Sequence, residues 1–135
     1  MNAKNVVDLL LFCYPERSTL NRPFTQGRYT YATDGAVLIR VPRRADVPEN
    51  PHAPRKVYRL FSQHRPAGKF RAVPTVDEFR VKIGLASFSA SELARLSSLP
   101  GVLVAPGATT TNALTFRFDG GDGLLMPLYP DAKNL

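Results

Sequence analysis

The sequence predicts a single α+β domain over residues 1–135, built from two similar halves, each a helix followed by antiparallel strands. Three observations predict it. Apolar residues recur at helical spacing near the start of the chain and again after residue 89. Each of these stretches leads to alternating strands and an Asp-Gly turn, in "TDGAVLIRVP" and "DGGDGLLMPL". Between the halves, approximately 1–42 and 78–129, lies a basic, proline-rich connection, 43–77. The pattern shared by the two ends reads as an internal duplication.

Val6, Leu9, Leu10 and Cys13 follow the i, i+3, i+4, i+7 spacing of a helix over residues 5–14. Pro15 stops it, because proline lacks the amide N–H and its ring crowds the preceding turn. Residues 28–33 and 36–41 alternate as strands. Val37, Ile39 and Val41 share one face, and Ala36, Leu38 and Arg40 the other. Asp34-Gly35 between them tolerates the positive φ of a type I′ hairpin turn. Six of the twelve prolines fall between Pro42 and Pro74, where short strands are expected at Val57–Phe61 and Lys69–Val73.

Phe79, Val81, Ile83 and Leu85 then alternate with Arg80, Lys82 and Gly84 as a half-buried strand. "SASE", residues 89–92, is a capping box that opens a second helix. Leu93 and Leu96 begin its apolar face, and Pro100-Gly101 ends it. Strands follow at 102–105, through Leu114, Phe116 and Phe118, and at 124–128, with "DGGDG" (119–123) turning into the last. The expected core is Val6, Leu10, Val37, Ile39, Phe79, Val81, Ile83, Leu93, Leu96, Phe116, Phe118 and Leu125.

Hydrophobic residues make up 44% of the chain and charged residues 21%, the balance of a globular protein. No stretch approaches the ~20 apolar residues of a bilayer span, and the start lacks a signal peptide's apolar core, so no membrane partner and a cytoplasmic location are expected. One cysteine, Cys13, excludes an internal disulfide and reads as a buried, inert thiol. The net charge is +7. From Arg40 to Lys82 stand eleven Lys and Arg against four acids, which accounts for the whole excess. Such a patch suits a polyanion and equally a merely solvated segment. His52, His64 and Cys13 form no metal spacing. The acids of "DGGDG" are too few for a calcium loop. No catalytic arrangement is visible, so neither a metal, a cofactor nor a catalytic residue is expected.

Two stretches carry a resemblance. "STLNRPFTQGRYTYATDGAVLIRVP" (18–42) and "FSASELARLSSLPGVLVAPG…LTFRFDGGDGLLMPL" (88–128) resemble the bacterial DNA polymerase sliding clamp, the β processivity factor, over roughly two-thirds of the chain and in the same order. The resemblance implies the processivity (DNA clamp-like) fold, with two helices side by side and two small antiparallel sheets in pseudo-symmetric halves. It also implies a homo-oligomer, since six such domains make a clamp ring. In the family, a partner-peptide pocket is lined by the "ATDG" hairpin and by the final "MP" strand of a neighbouring domain. The matching positions here are Thr33, Gly35, Ala36, Val37 and Leu38, with Leu124, Met126, Pro127 and Leu128. The same residues fit plain core strands.

Clamp helices carry cations toward DNA. Here Lys4 faces Asp8 and Arg95 faces Glu92, so neither helix is a basic face. DNA contact is therefore expected from the connection: Arg43, Arg44, Arg55, Lys56, Arg59, Arg65, Lys69 and Arg71, on phosphates and without sequence preference. Aromatics are thin there (Tyr58, Phe61, Phe70), and no single-strand stacking platform is expected. Three classes follow: a clamp-like binding module of DNA replication or repair, of phage or mobile-element type; a protein-interaction module of clamp fold that does not encircle DNA and engages replication or repair proteins; and a small enzyme.

Overall fold

The computed structural model describes residues 9–13, 22–51, 53–75 and 79–128. They form a mixed, sheet-dominated domain. Eight strands occur: β1 Phe24–Gln26, β2 Tyr29–Thr33, β3 Val37–Pro42, β4 Arg80–Ile83, β5 Ala86–Ser89, β6 Leu103–Ala105, β7 Leu114–Phe118 and β8 Gly121–Leu125. Two helices accompany them, α1 Arg59–Gln63 and α2 Ala90–Leu96, with a 3-10 turn at Leu9–Phe12. Instead of two small sheets, one six-stranded antiparallel sheet runs β1-β2-β3-β8-β7-β6, and β4-β5 is a separate hairpin.

Both faces of the large sheet are covered, because alternate residues of each strand point to opposite sides. Val37, Ile39 and Val41 of β3 join Phe116, Phe118 and Leu125 on one face, under Leu9, Phe12 and Cys13, Leu93 and Leu96 of α2, and Val81, Ile83 and Phe88 of the hairpin. Leu38 and Leu124 point to the second face, with Phe24, Tyr31 and Val57. The Leu9–Phe12 turn and α2, which stand where the two helices were expected, thus share one face and touch through Arg95, while α1 lies on the other. The capping box holds for its first half: Ser89 Oγ accepts from the Glu92 amide at 3.4 Å. The Glu92 carboxylate turns instead to Arg95.

Several sequence expectations are displaced. Of the helix over 5–14, only 9–13 lies within the described residues, and it is a 3-10 turn there. Val6 and the side chain of Leu10 lie outside them. Phe79, placed in the core, is 80% exposed just ahead of β4, and Leu85 sits in the exposed Gly84-Leu85 turn that closes β4 on β5. The β2–β3 turn is centred one residue later than expected, on Gly35-Ala36, since the Asp34 amide donates to the Val37 carbonyl. Only Gly35 has positive φ (94°), which excludes type I′. The Asp34 carboxylate accounts for the shift: Oδ1 accepts from the amides of Ala36 and Val37 at 2.9 and 2.8 Å.

At the other end the turn is Asp119-Gly120, so Gly121, Asp122 and Gly123 are strand rather than loop. The Phe116 ring lies over Gly123, filling the space that a side chain would take.

The described residues of the basic connection form a strap that crosses the second face from β1 toward β6. The Thr25 amide of edge strand β1 donates to Pro48, and Gln26 brackets the strap from both sides, donating to the Pro54 carbonyl and accepting from the Val57 amide, each at 2.8 Å. Val57–Phe61, expected as a strand, is instead the end of a turn, Val57-Tyr58, and the first three residues of α1. Ala113 N–H donates to His64 Nδ1 at 3.0 Å. Of the strand expected at Lys69–Val73 only Arg71 pairs, exchanging two 2.8 Å hydrogen bonds with Val104 at edge strand β6. Among the described residues no helix is long and apolar enough to cross a membrane.

Candidate functional site

A groove of about 460 Å³ opens between the start of β3, the end of β8 and the strap. The Asp34 turn delivers Thr33, Gly35, Ala36, Val37 and Leu38 to one wall. Strand β8 pairs directly with β3, with Leu38 opposite Leu124 and Val37 opposite Leu125, so Leu124 and Met126 reach the same groove. The pairing continues past the strand, where the Met126 amide donates to the Ala36 carbonyl at 2.8 Å. Seven of the nine positions implied by the resemblance therefore line one groove within one chain, and no neighbouring domain is needed to bring them together. Pro127 and Leu128 do not line it; the Leu128 amide donates instead to Ser87 of β5.

The floor is apolar: Phe24, Leu38, Val57 and Leu124 are buried. Leu60 and Met126 stand at the mouth, 41% and 43% exposed. Sequence reasoning missed the strap's share of this wall, Val57, Leu60 and His64. The helical spacing of Lys56, Leu60, Gln63 and His64 was the available signal.

The Asp34 turn is held by charge as well as by backbone. Arg95 of α2 donates to Asp34 Oδ2 at 2.6 Å, pairs with Glu92, and stacks over Phe12. Burial pushes the Asp34 carboxyl up. The Val37 amide, Arg95 and the Ala36 amide all bind the ionised form, and together they hold it below the usual aspartate range.

Seven of the eight cations expected to meet DNA are exposed, Arg44 being half-buried. They spread along the strap rather than forming one cluster. Arg43 donates to the Gly27 carbonyl near β1, and Arg44 pairs with Asp46 at 2.9 Å. Arg55, Lys56 and Arg59 rim the groove, and Lys56 and Arg65 rim a second depression beside it. Lys69 and Arg71 lie toward β6. Among the described residues Arg55, Lys56, Arg59, Arg65, Lys69 and Arg71 carry no ion pair. Comparison with protein-family models, with curated proteins and with solved structures finds no match to this chain.

Proposed function

We propose that the chain is a clamp-like protein-interaction module that holds a short peptide of a DNA replication or repair protein in the groove and does not encircle DNA. The observation that carries the reading is the groove itself, where the "ATDG" hairpin and the "MP" strand end meet. An apolar floor with adaptable Leu60 and Met126 at its mouth suits two or three apolar anchors of an extended peptide. The strand order supports the two-half organisation: β1-β2-β3 mirrors β6-β7-β8 about the β3–β8 seam, with the Leu9–Phe12 turn ahead of one meander and α2 ahead of the other.

Two features favour this over a DNA ring. Arg95, the sole cation in the sequence of α2, is engaged by Asp34 and Glu92. Both edges of the large sheet are partly occupied by the strap, through Pro48 at β1 and Arg71 at β6, which leaves less free edge for a second copy.

A random peptide library selected on the immobilised protein, with sedimentation in parallel, tests the reading. Enriched sequences should share spaced apolar residues and lose roughly tenfold or more in affinity, about 1.4 kcal/mol, toward Leu60→Glu and Met126→Glu variants. These exposed positions leave the core intact. The mass should be that of one 14.9 kDa chain. A six-chain ring, or peptides indifferent to both substitutions, would overturn the reading.

A further inference from the structure

Helix α1 is a wall between two depressions. Leu60, Gln63 and His64 look into the groove, whereas Tyr58, Phe61, Ser62 and Arg65 look into the second depression, of about 650 Å³, and Lys56 lines both. Its opposite side is the β1–β2 turn and β2, which supply Gly27, Arg28, Tyr29 and Tyr31. Its floor is Arg40. That guanidinium is held by Asp122 through two hydrogen bonds of 2.7 and 3.0 Å, and it stacks on Phe61 at 3.6 Å and on Tyr29 at 4.3 Å. The floor is thus rigid, and the Asp122 charge is neutralised within it.

The rim is a different matter. Arg28 from the β1–β2 turn, with Lys56 and Arg65 from either side of α1, line one opening, are exposed, and carry no ion pair among the described residues. Lys56 is held there at φ 53°, the one non-glycine residue with positive φ among those described. Tyr58 stands among them, 50% exposed. An exposed ring and a stacked Arg–aromatic floor under three unpaired cations suit a ligand with a flat aromatic ring and a phosphate. Its aromatic lining suits an unstacked base rather than the paired, stacked bases of a duplex.

We propose that this depression binds single-stranded nucleic acid, one base against Tyr58 and the Arg40 stack, with the flanking phosphates on Arg28, Lys56 and Arg65. The strap alone is too poor in aromatics for this. The fold adds Tyr29 and Arg40 from β2 and β3. The inference stands apart from the peptide groove and does not depend on it.

The test is fluorescence anisotropy at low salt with a labelled oligothymidine of about 12 nucleotides, within the span an ssDNA-binding fold covers. A duplex of the same length and thymidine monophosphate serve as competitors. The single strand should bind more tightly than the duplex. Tyr58→Ala should weaken it roughly tenfold, the effect of one lost stacked base, while Tyr58→Phe keeps it. Lys56→Gly removes a cation and relieves the positive φ, so it should bind less tightly with no loss of melting temperature, and its log–log salt slope should fall by about 0.7. Met126→Glu, in the groove, should bind like the parent. The proposal is overturned by equal or tighter duplex binding, by no binding at low salt, or by Tyr58→Ala that melts and binds like the parent. It is overturned too if the mononucleotide displaces as effectively as the oligomer, which would assign the site to a free nucleotide, or if Met126→Glu abolishes binding.

Discussion

Gly123→Ala should be among the most damaging small changes available to this chain. Gly123 is buried in β8, opposite Ile39 of β3 and Phe116 of β7. A Cβ built there would lie 2.2 Å from Phe116 Cζ and 2.4 Å from the Leu38 carbonyl oxygen, where carbon atoms ordinarily settle near 3.5–4.0 Å. Neither neighbour can yield cheaply. The Phe116 ring is fully buried and stacks on Phe118 at 6.2 Å. The Leu38 oxygen belongs to the β3–β8 seam at the centre of the sheet.

Overpacking a well-filled core costs about 1–3 kcal/mol and occasionally more. With one of the two clashes against backbone, the upper end, about 3 kcal/mol, is expected from a total of ~5–15 kcal/mol. Urea unfolding followed by circular dichroism reads it as a lower midpoint at unchanged slope. Adding Phe116→Leu should recover only the ring's share, a coupling of about 0.5–3 kcal/mol in the double-mutant cycle. A Gly123→Ala chain within about 0.5 kcal/mol of the parent would mean that Gly123 is a surface turn residue, as "DGGDG" reads in sequence, and that the β8 register is wrong.

Ile39→Ala, fully buried, should cost about 2–5 kcal/mol, whereas Phe79→Ala, 80% exposed, should stay within about 0.5 kcal/mol; matching urea midpoints for the two would reverse the assignment of faces. Asp34 ionises more readily folded than unfolded, so its stabilisation is complete above the ordinary aspartate value of about 3.9 and drains away as pH falls through the lower folded value. Asp34→Asn should flatten that acid limb of the pH–stability profile, and an unaltered limb would remove Asp34 from the account. Changing Arg43, Arg44, Arg55 and Lys56 together to Ser should weaken duplex DNA binding in a gel shift and lower the log–log salt slope by about 0.9 for each phosphate no longer neutralised. Binding retained in full would leave the strap as a solvated layer.

Local pattern carried the strands well where one face is buried. Val37, Ile39 and Val41 alternate cleanly with Leu38 and Arg40, and each set is where its period places it. Pattern failed where a second force decides. Phe79 belongs to the alternation of β4 but lies ahead of the strand's first pair, so nothing covers it. Val57–Phe61 is apolar and short, which suits a strand or a helical turn alike, and packing on the second sheet face selected the turn.

What the sequence by itself determined is therefore short-range: α+β composition, a hairpin near each Asp-Gly though not the exact turn, the Ser89 cap, the faces of β3 and β7, and a charge excess confined to the middle of the chain. These follow from periodicity, turn chemistry and side-chain charge, which act over a few residues. Only the tertiary structure decided that β3 and β8 are neighbours across more than eighty residues, that "DGGDG" supplies strand rather than loop, and that the strap spans the sheet from β1 to β6. Each of these is a choice among distant pairings. Such a choice is made by which faces can be buried together and which backbone groups can be satisfied at once, and no local stretch encodes either.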